Sequence, residues 1–235
     1  MKKNALKAVI LAGGLGTRLK PLTEAIPKPL MPIGERSILE LQVLRLKEFG
    51  FEDIYVATYY KANYIEAFLG DGSRYGVRIT VSREEEPLGT CGPVKLLENE
   101  LDVPFLVMNS DILTTADFGD LYEFALGIEA DLIVATKEII TPFSFGRIES
   151  HGGFITAMEE KPALKTEVLA GVYIFKPPVL KLVPHGQYFG MDSLIKKMLE
   201  QGIPVGKYQI RQFWLDIGQI DDYHEAQAAY EEHFK

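Results

Sequence analysis

The amino-acid sequence predicts an α/β fold, a three-layer sandwich with a mixed, mainly parallel central sheet. Short β-rich runs alternate with amphipathic helical stretches over the first half of the 235 residues, as in strands joined by helical crossovers. An apolar content of 47% supports a substantial core. We find no linker, repeat or low-complexity tract in the sequence, so we expect one domain spanning residues 1–235.

Apolar runs in the first half of the chain set the order of the predicted elements. Residues 7–11 predict a buried strand, which a glycine-rich turn follows. Ser37 and Glu40 have the spacing of a capping box, and the residues after them give a helix one apolar face. Further strands are predicted over 53–58, 77–81, 105–108 and 131–136, and further helices over 63–69, 93–97 and 117–126.

The second half of the chain is less regular. Residues 145–148 and 154–158 predict a β-hairpin around a turn with two glycines, and residues 169–175 predict another strand. Helices are predicted over 192–201 and 219–233. Because the chain ends soon after the last of these helices, we expect no second domain. A homo-oligomer would then have to form through this domain itself.

Composition excludes several classes of function. Lys and Arg number 25 against 33 Asp and Glu, and the resulting net charge of −8 disfavours a nucleic-acid-binding surface. No apolar run approaches the roughly 20 residues that cross a bilayer, so no membrane partner is expected. The chain has a single cysteine, which excludes an internal disulfide and favours a cytoplasmic location. An anionic ligand must therefore be held by local cations, backbone amides or metal ions.

The glycine-rich turn over residues 11–18 is the most informative segment. Glycines directly after a buried strand let backbone amides approach a phosphate group. Arg18 adds a planar, multidentate donor, and Lys28, between two prolines, adds a mobile point charge. These groups together predict a polyphosphate site. A tight turn without a ligand is the alternative, and the two cations disfavour it.

Two other glycine-rich motifs do not fit. A dinucleotide-binding fingerprint needs a third glycine or alanine where this chain has Leu19, which opposes an NAD-dependent oxidoreductase. A P-loop ends in Gly-Lys-Ser/Thr, whereas this turn continues as Gly16-Thr-Arg18.

Two aspartates follow apolar runs that read as strands. Asp111 comes after residues 105–108, and Asp216 comes after residues 213–215. Ligands gather at the carboxyl ends of the strands in open α/β sheets, and a divalent cation can bridge carboxylate and phosphate oxygens there. Taken singly, each aspartate could equally cap a turn or a helix.

These motifs resemble the signature of sugar-nucleotide pyrophosphorylases, the nucleotidyltransferases that make GDP-mannose, UDP-glucose and dTDP-glucose. The signature Gly-Gly-x-Gly-Thr-Arg-Leu stands at residues 13–19, Pro-Lys-Pro stands at 27–29, and later motifs follow in the family's order. The resemblance implies a Rossmann-like, nucleotide-diphospho-sugar transferase fold, with nucleotide bound by the N-terminal half and sugar phosphate by the C-terminal half. It also implies conversion of a nucleoside triphosphate and a sugar 1-phosphate to a nucleoside-diphosphate sugar and pyrophosphate.

The resemblance assigns a role to each matching residue. Arg18 and Lys28 serve the triphosphate as catalytic residues, while Asp111 and Asp216 hold Mg²⁺. The nucleotide-binding positions are Leu11, Ala12, Gly13, Gly14, Gly16, Thr17, Glu86, Gly89 and Asn109. The sugar-phosphate-binding positions are Gly146, Glu160, Lys161, Leu169 and Gly171. Many family members have asparagine where this chain has Leu169, so one hydrogen bond to the sugar is missing or replaced.

The base and the sugar are less determined by the sequence. Residues 84–93 resemble the base-binding loop of GDP-mannose pyrophosphorylases, in which Glu86 would accept hydrogen bonds from guanine N1 and N2. We therefore expect GTP with mannose 1-phosphate or a related hexose or heptose 1-phosphate. Similar loops occur in uridylyl and thymidylyl transferases, which act on glucose or amino-sugar 1-phosphates. A non-catalytic sugar-nucleotide sensor is disfavoured because the cations and carboxylates above are all present.

Overall fold

The computed structural model describes residues 5–235, so the first four residues of the predicted domain lie outside the described part. The strands in chain order are β1 (Leu6–Leu11), β2 (Pro32–Ile33), β3 (Arg36–Ser37), β4 (Phe51–Thr58), β5 (Arg78–Arg83), β6 (Phe105–Asn109), β7 (Ile112–Thr114), β8 (Leu132–Pro142), β9 (Arg147–His151), β10 (Phe154–Glu159), β11 (Ala163–Phe175), β12 (Val205–Gln209) and β13 (Trp214–Asp216).

The helices surround these strands in sequence and in space. They are α1 (Leu22–Ala25), α2 (Ile38–Glu48), α3 (Ala62–Leu69), α4 (Gly92–Leu96), α5 (Phe118–Gly127), α6 (Met191–Glu200) and α7 (Ile220–His233). Short 3₁₀ turns cover Thr17–Leu19, Lys28–Leu30, Ser73–Tyr75 and Pro177–Leu182. Among residues 5–235, none of the helices combines the length and the apolar character needed to cross a membrane.

A seven-stranded sheet runs in the order β12-β8-β11-β6-β1-β4-β5. Strand β1 pairs in parallel with β4 and β6, and the pairs β4–β5 and β12–β8 are also parallel. Strand β11 is antiparallel to both of its neighbours, β6 and β8. The prediction of a mixed, mainly parallel sheet is confirmed.

Apolar side chains cover both faces of this sheet. Ala8 and Ile10 of β1 belong to one core, which α2, α3 and α5 complete, whereas Val9 points to the other face, toward α4 and α6. Successive side chains of a strand point to opposite faces, so the apolar run of residues 8–11 in β1 must be covered on both sides. The three-layer arrangement follows from this requirement.

An antiparallel arm extends from the sheet and is the largest departure from the predicted elements. Strand β8 continues to Pro142 and β11 begins at Ala163, although the sequence predicts only residues 131–136 and 169–175 as strands there. The predicted hairpin forms as β9 and β10, whose residues are all exposed. Because these added strand segments are mostly exposed on both faces, they lack the apolar alternation that would reveal them.

Two short strands far apart in the sequence position the aspartates. Strand β7 follows Asp111 and pairs with β13 in antiparallel register, so that Asp216 lies opposite Ile112. The amide of Ile217 donates a hydrogen bond to the carbonyl oxygen of Asp111 at 3.0 Å. The two aspartates, 105 residues apart in sequence, therefore share one end of a small sheet.

Candidate active site

A cavity of about 400 Å³ opens where β1 and β6 end, at the carboxyl edge of the parallel strands. Its wall is formed by Leu11, Gly13, Gly14, Leu15, Gly16, Thr17, Arg18, Lys28, Pro29, Tyr59, Glu84, Pro87, Gly89, Thr90, Pro93, Asn109, Ser110, Asp111, Tyr188 and Gly218. This volume lies in the usual range for small-molecule sites. The glycine-rich turn, both predicted cations and one predicted metal ligand meet in it.

The glycine-rich turn lines the cavity and contains backbone amides without a backbone acceptor among the described residues. Ala12 N–H donates to Ala57 O at 2.7 Å and Leu19 N–H donates to Gly16 O at 3.0 Å, and among the described residues no backbone acceptor serves the amides between them. Gly16 has φ +62°, and a Cβ there would approach Thr23 Cγ2 to 2.8 Å. Glycine is therefore required at position 16, where the Thr23 hydroxyl also donates to the Gly16 carbonyl at 2.8 Å.

The two predicted cations both line the cavity. Lys28 is buried, and its Nζ donates to Asp111 Oδ2 at 2.6 Å. Arg18 lies beside Gly218, where an added Cβ would be only 3.2 Å from its Nη2. Arg18 and Lys28 thus bring two positive charges to a cavity whose wall also carries the carboxylates of Glu84 and Asp111.

Asp111 and Asp216 interact electrostatically across the β7–β13 pair. The surrounding protein atoms raise the pKa of the Asp216 carboxyl, and the neighbouring Asp111 charge raises it further, whereas Lys28 and Arg18 lower it. Water nevertheless reaches the Asp216 side chain, which is exposed and does not line the cavity. Oδ1 of Asp111 is buried without a hydrogen-bond partner among the described residues.

This donor set fits a magnesium ion that shares its coordination with a phosphate ligand. Among residues 5–235, no group of three or more His, Cys, Asp or Glu side chains is arranged to cage a metal. Mg²⁺ is commonly bound by one or two carboxylates together with substrate phosphates and water. Two neighbouring carboxylates, one with an unpaired buried oxygen, match that pattern.

Of the glutamates on the loop after β5, Glu84 lines the cavity and Glu86 does not. Glu86 is exposed and outside the cavity wall, while Glu84 is half-buried within it. The Leu88 amide donates to Glu84 Oε2 at 2.9 Å, and Glu84 Oε1 lies 2.7 Å from the position of a Cβ on Gly13. The chain turns after Glu84 to make this bond, which directs the next two glutamates to solvent.

Tyr188 is a cavity residue that the sequence does not reveal. It reaches the site because the backbone around it pairs with the base-loop segment. Phe189 N–H donates to Leu88 O at 2.9 Å, and Cys91 N–H donates to Phe189 O at 2.9 Å. Tyr188 is 73% exposed, and Tyr59 lies on the same cavity wall, so two aromatic surfaces line the cavity. No local pattern around residue 188 marks this long-range pairing.

The predicted sugar-phosphate positions lie outside the cavity wall. Gly171 is adjacent to it, since a Cβ there would be 2.9 Å from Asn109 Nδ2, and Leu169, two residues earlier, is 49% exposed. Gly146 and Glu160 meet on the exposed arm, where Lys161 follows with φ +47°. Ala12, predicted to bind nucleotide, is buried in the core behind the turn.

Cys91 is a core residue beside the cavity. It is fully buried, and burial raises the pKa of its thiol to about 12. A thiol that stays protonated at neutral pH is a poor nucleophile. Covalent catalysis by this cysteine is therefore disfavoured.

The fold and the cavity define an α/β protein with a glycine-rich loop and a small-molecule-sized cavity at the carboxyl edge of a mixed sheet. A family model described as nucleotidyl transferase matches residues 7–233, and the chain belongs to this family.

Relatives and a solved structure agree with this assignment. A mannose-1-phosphate guanyltransferase of Neurospora crassa is 36% identical over 93% of this chain. A UTP–glucose-1-phosphate uridylyltransferase of Synechocystis is 32% identical over 94% of this chain. The chain spans 62% of the length of each of these relatives. The crystal structure of HddC from Yersinia pseudotuberculosis complexed with GMP-PN superposes with a TM-score of 0.75 at 27% identity, covering 96% of this chain and 99% of that one.

Proposed function

We propose that this protein transfers a nucleoside monophosphate from a nucleoside triphosphate to a sugar 1-phosphate and releases pyrophosphate. The observation that carries the proposal is the convergence of unpaired loop amides, Arg18, Lys28 and Asp111 in one cavity. A triphosphate needs this combination of directed donors, positive charge and a metal-binding carboxylate. We further propose GTP as the nucleotide and mannose 1-phosphate or a related hexose or heptose 1-phosphate as the acceptor.

The chemical step requires positioning and charge stabilisation more than proton transfer. An oxygen of the sugar 1-phosphate attacks the α-phosphorus, the bond from that phosphorus to the β-bridging oxygen breaks, and pyrophosphate leaves with the electron pair. The attacking phosphate is already ionised at neutral pH, so no general base is needed. Arg18 would stabilise the charge that grows on the leaving pyrophosphate, and Lys28 would hold the α-phosphate.

Asp111 and Asp216 are the residues proposed to hold Mg²⁺. When bound there, the ion would neutralise charge on the phosphate oxygens. Lys28 Nζ contacts the same carboxylate of Asp111, so the two aspartates and the lysine form one electrostatic unit.

We propose that Glu84 takes the base-reading role first expected for Glu86. Guanine presents donors at N1 and N2, and a carboxylate on the cavity wall can accept from both. The guanyltransferase relative and the GMP-PN complex of HddC support guanine. The uridylyltransferase relative favours uracil as the second candidate.

Four further expectations from the sequence remain predictions. They are sugar-phosphate contacts from Gly146, Glu160, Lys161, Leu169 and Gly171, one catalytic domain with a nucleotide half and a sugar half, a cytoplasmic location, and the absence of nucleic-acid partners. Lys161→Met and the neighbouring Lys165→Met give a matched pair for the first of these. If Lys161 contacts the sugar phosphate, Lys161→Met should raise the KM for that substrate and Lys165→Met should not.

A substrate matrix tests the proposed function. Five nucleoside triphosphates are each incubated with Mg²⁺ and several hexose, heptose and amino-sugar 1-phosphates, and pyrophosphate release is measured. We expect the fastest release with GTP and mannose 1-phosphate or a related sugar. A preference for UTP with glucose 1-phosphate would favour the second candidate. Sugar-nucleotide binding without turnover in any combination would instead indicate a non-catalytic sensor.

A further inference from the structure

Gln42 is a buried polar side chain on the face of α2 that packs against the sheet. Its Nε2 donates two hydrogen bonds, to Asn109 O at 3.0 Å and to Ile112 O at 2.8 Å. These two carbonyl groups stand on either side of Asp111 in the sequence. One amide group therefore holds both ends of the turn that carries the proposed metal ligand.

The contacts determine the orientation of the Gln42 amide. Exchanging its nitrogen and oxygen would place Oε1 against two carbonyl oxygens, which are both acceptors. In the observed orientation Oε1 is buried without a partner among the described residues. Burying an unpaired acceptor costs free energy, and a methionine of similar volume would avoid that cost. The two donated bonds are thus the specific contribution of glutamine at this position.

Helix α2 holds the same segment at a second point. Arg45, three residues after Gln42, donates from Nη2 to Thr115 O at 2.9 Å and to Ala116 O at 3.1 Å. These contacts hold the far end of β7, whereas those of Gln42 bracket Asp111 directly. Two side chains on one helix face thus fix the backbone of residues 109–116.

We infer that Gln42 is a positioning residue for the Asp111 carboxylate. It fixes the turn between β6 and β7 so that the carboxylate meets Lys28 and lies beside Asp216. The inference rests on the proposed function, in which Asp111 and Asp216 hold a divalent cation. Gln42 itself does not line the cavity and acts only through the backbone.

The test measures binding of Mn²⁺ alone, by electron paramagnetic resonance of the free ion, in wild type and Gln42→Met. Mn²⁺ binding that is lost in Asp111→Asn is assigned to this site. Loss of a residue that orients a metal ligand typically lowers metal affinity roughly 10–100-fold, and we expect a loss in that range for Gln42→Met. In pyrophosphate release, the kcat should fall while the KM for the sugar phosphate changes less than about twofold.

Gln227→Met is the matched control. Gln227 on α7 also bonds to backbone groups, donating from Nε2 to Pro32 O at 2.6 Å and accepting from Gly34 N–H at 2.9 Å, but its contacts are remote from Asp111. We expect Gln227→Met to keep wild-type Mn²⁺ affinity. Equal losses of Mn²⁺ affinity in both variants would mean a general structural effect and would overturn the inference.

The outcomes separate this inference from the proposed function. A wild type that binds Mn²⁺ through Asp111 but transfers no nucleotide would refute the function, while weaker Mn²⁺ binding in Gln42→Met would still support the positioning role. Unchanged Mn²⁺ affinity in Gln42→Met, or no Asp111-dependent binding in wild type, would overturn it. If Gln42→Met does not fold, Gln42→Asn replaces it, because that variant keeps the amide on a shorter stem and should show an intermediate loss.

Discussion

At the scale of single residues, few side chains provide the charge on which phosphate binding would depend. Arg18 lines the cavity beside Gly218, and Lys28 is held by Asp111. Backbone amides provide the remaining donors, and they add no net charge. The loss of one cation should therefore not be compensated by a neighbour.

Arg18→Ala tests this dependence. Removing a preorganised charge contact to the transition state typically costs about 10²–10³ in rate, and we expect a loss of that order in pyrophosphate release. Arg36→Ala is the control, since Arg36 is an exposed residue of β3 outside the cavity wall. Equal activity in the two variants would contradict the role of Arg18.

Glycines in the turn give a second test at this scale. Gly16→Ala places a side chain in the left-handed region, at about 1–2 kcal/mol per residue, and against Thr23. Gly14→Ala is the control, because no atom lies within 4 Å of its Cβ position. Urea denaturation should show a lower free energy of unfolding for Gly16→Ala and a change under about 0.5 kcal/mol for Gly14→Ala. Similar losses in both would oppose the stated geometry.

Glu84 should make stability depend on pH. Burial raises the pKa of its carboxyl, more than the Leu88 amide lowers it. The folded state therefore binds this proton more tightly than the unfolded state, so stability from this group falls as pH rises through the folded pKa. Glu84→Gln should be more stable than wild type near neutral pH, and the difference should shrink in acid.

The measurement is urea denaturation over a pH series. Glu86→Gln serves as the control because Glu86 is exposed. A stability difference for Glu84→Gln that stays constant across the series would contradict the pKa shift.

At the scale of elements, segments with a local sequence pattern could be predicted, whether they are buried or exposed, and segments without one could not. The apolar run of residues 8–11 in β1 and the helix α2 after Ser37 have strong local patterns. The exposed hairpin of β9 and β10 is also predicted, because two glycines mark its turn, whereas the exposed extensions of β8 and β11 and the three-residue strand β7 have no such pattern. Pairing of distant segments also explains why no local pattern marks Tyr188 as a cavity residue.

The cap of α2 gives an element-scale prediction. Ser37 Oγ accepts a hydrogen bond from the Glu40 amide at 3.1 Å, which is one half of the predicted capping box. Ser37→Ala removes this acceptor and should lower the free energy of unfolding by about 1 kcal/mol. Ser150→Ala on the exposed β9 should have little effect. Equal stability of the two variants would argue against the cap.

At the scale of the whole molecule, the family model and the fold agree, and both predicted cations lie at the carboxyl edge of the parallel strands. Most of the residues predicted to bind the nucleotide line one cavity, and a short turn brings those of residues 11–18 there locally. The predicted sugar-side residues lie on β11 and the exposed arm, and their relation to a ligand depends on long-range geometry.

The central claim is that the α-phosphorus is the site of attack, and isotope position tests it most directly. The enzyme is incubated with Mg²⁺, mannose 1-phosphate and GTP carrying ³²P at either the α or the γ position. If the substrate matrix shows a preference for another nucleoside triphosphate and sugar 1-phosphate, that triphosphate carries the label and that sugar 1-phosphate is the acceptor. If the α-phosphorus is attacked, the α label will appear in the sugar nucleotide and the γ label in pyrophosphate, in equal amounts. Transfer of the γ label to the sugar phosphate, or its release as inorganic phosphate, would contradict it.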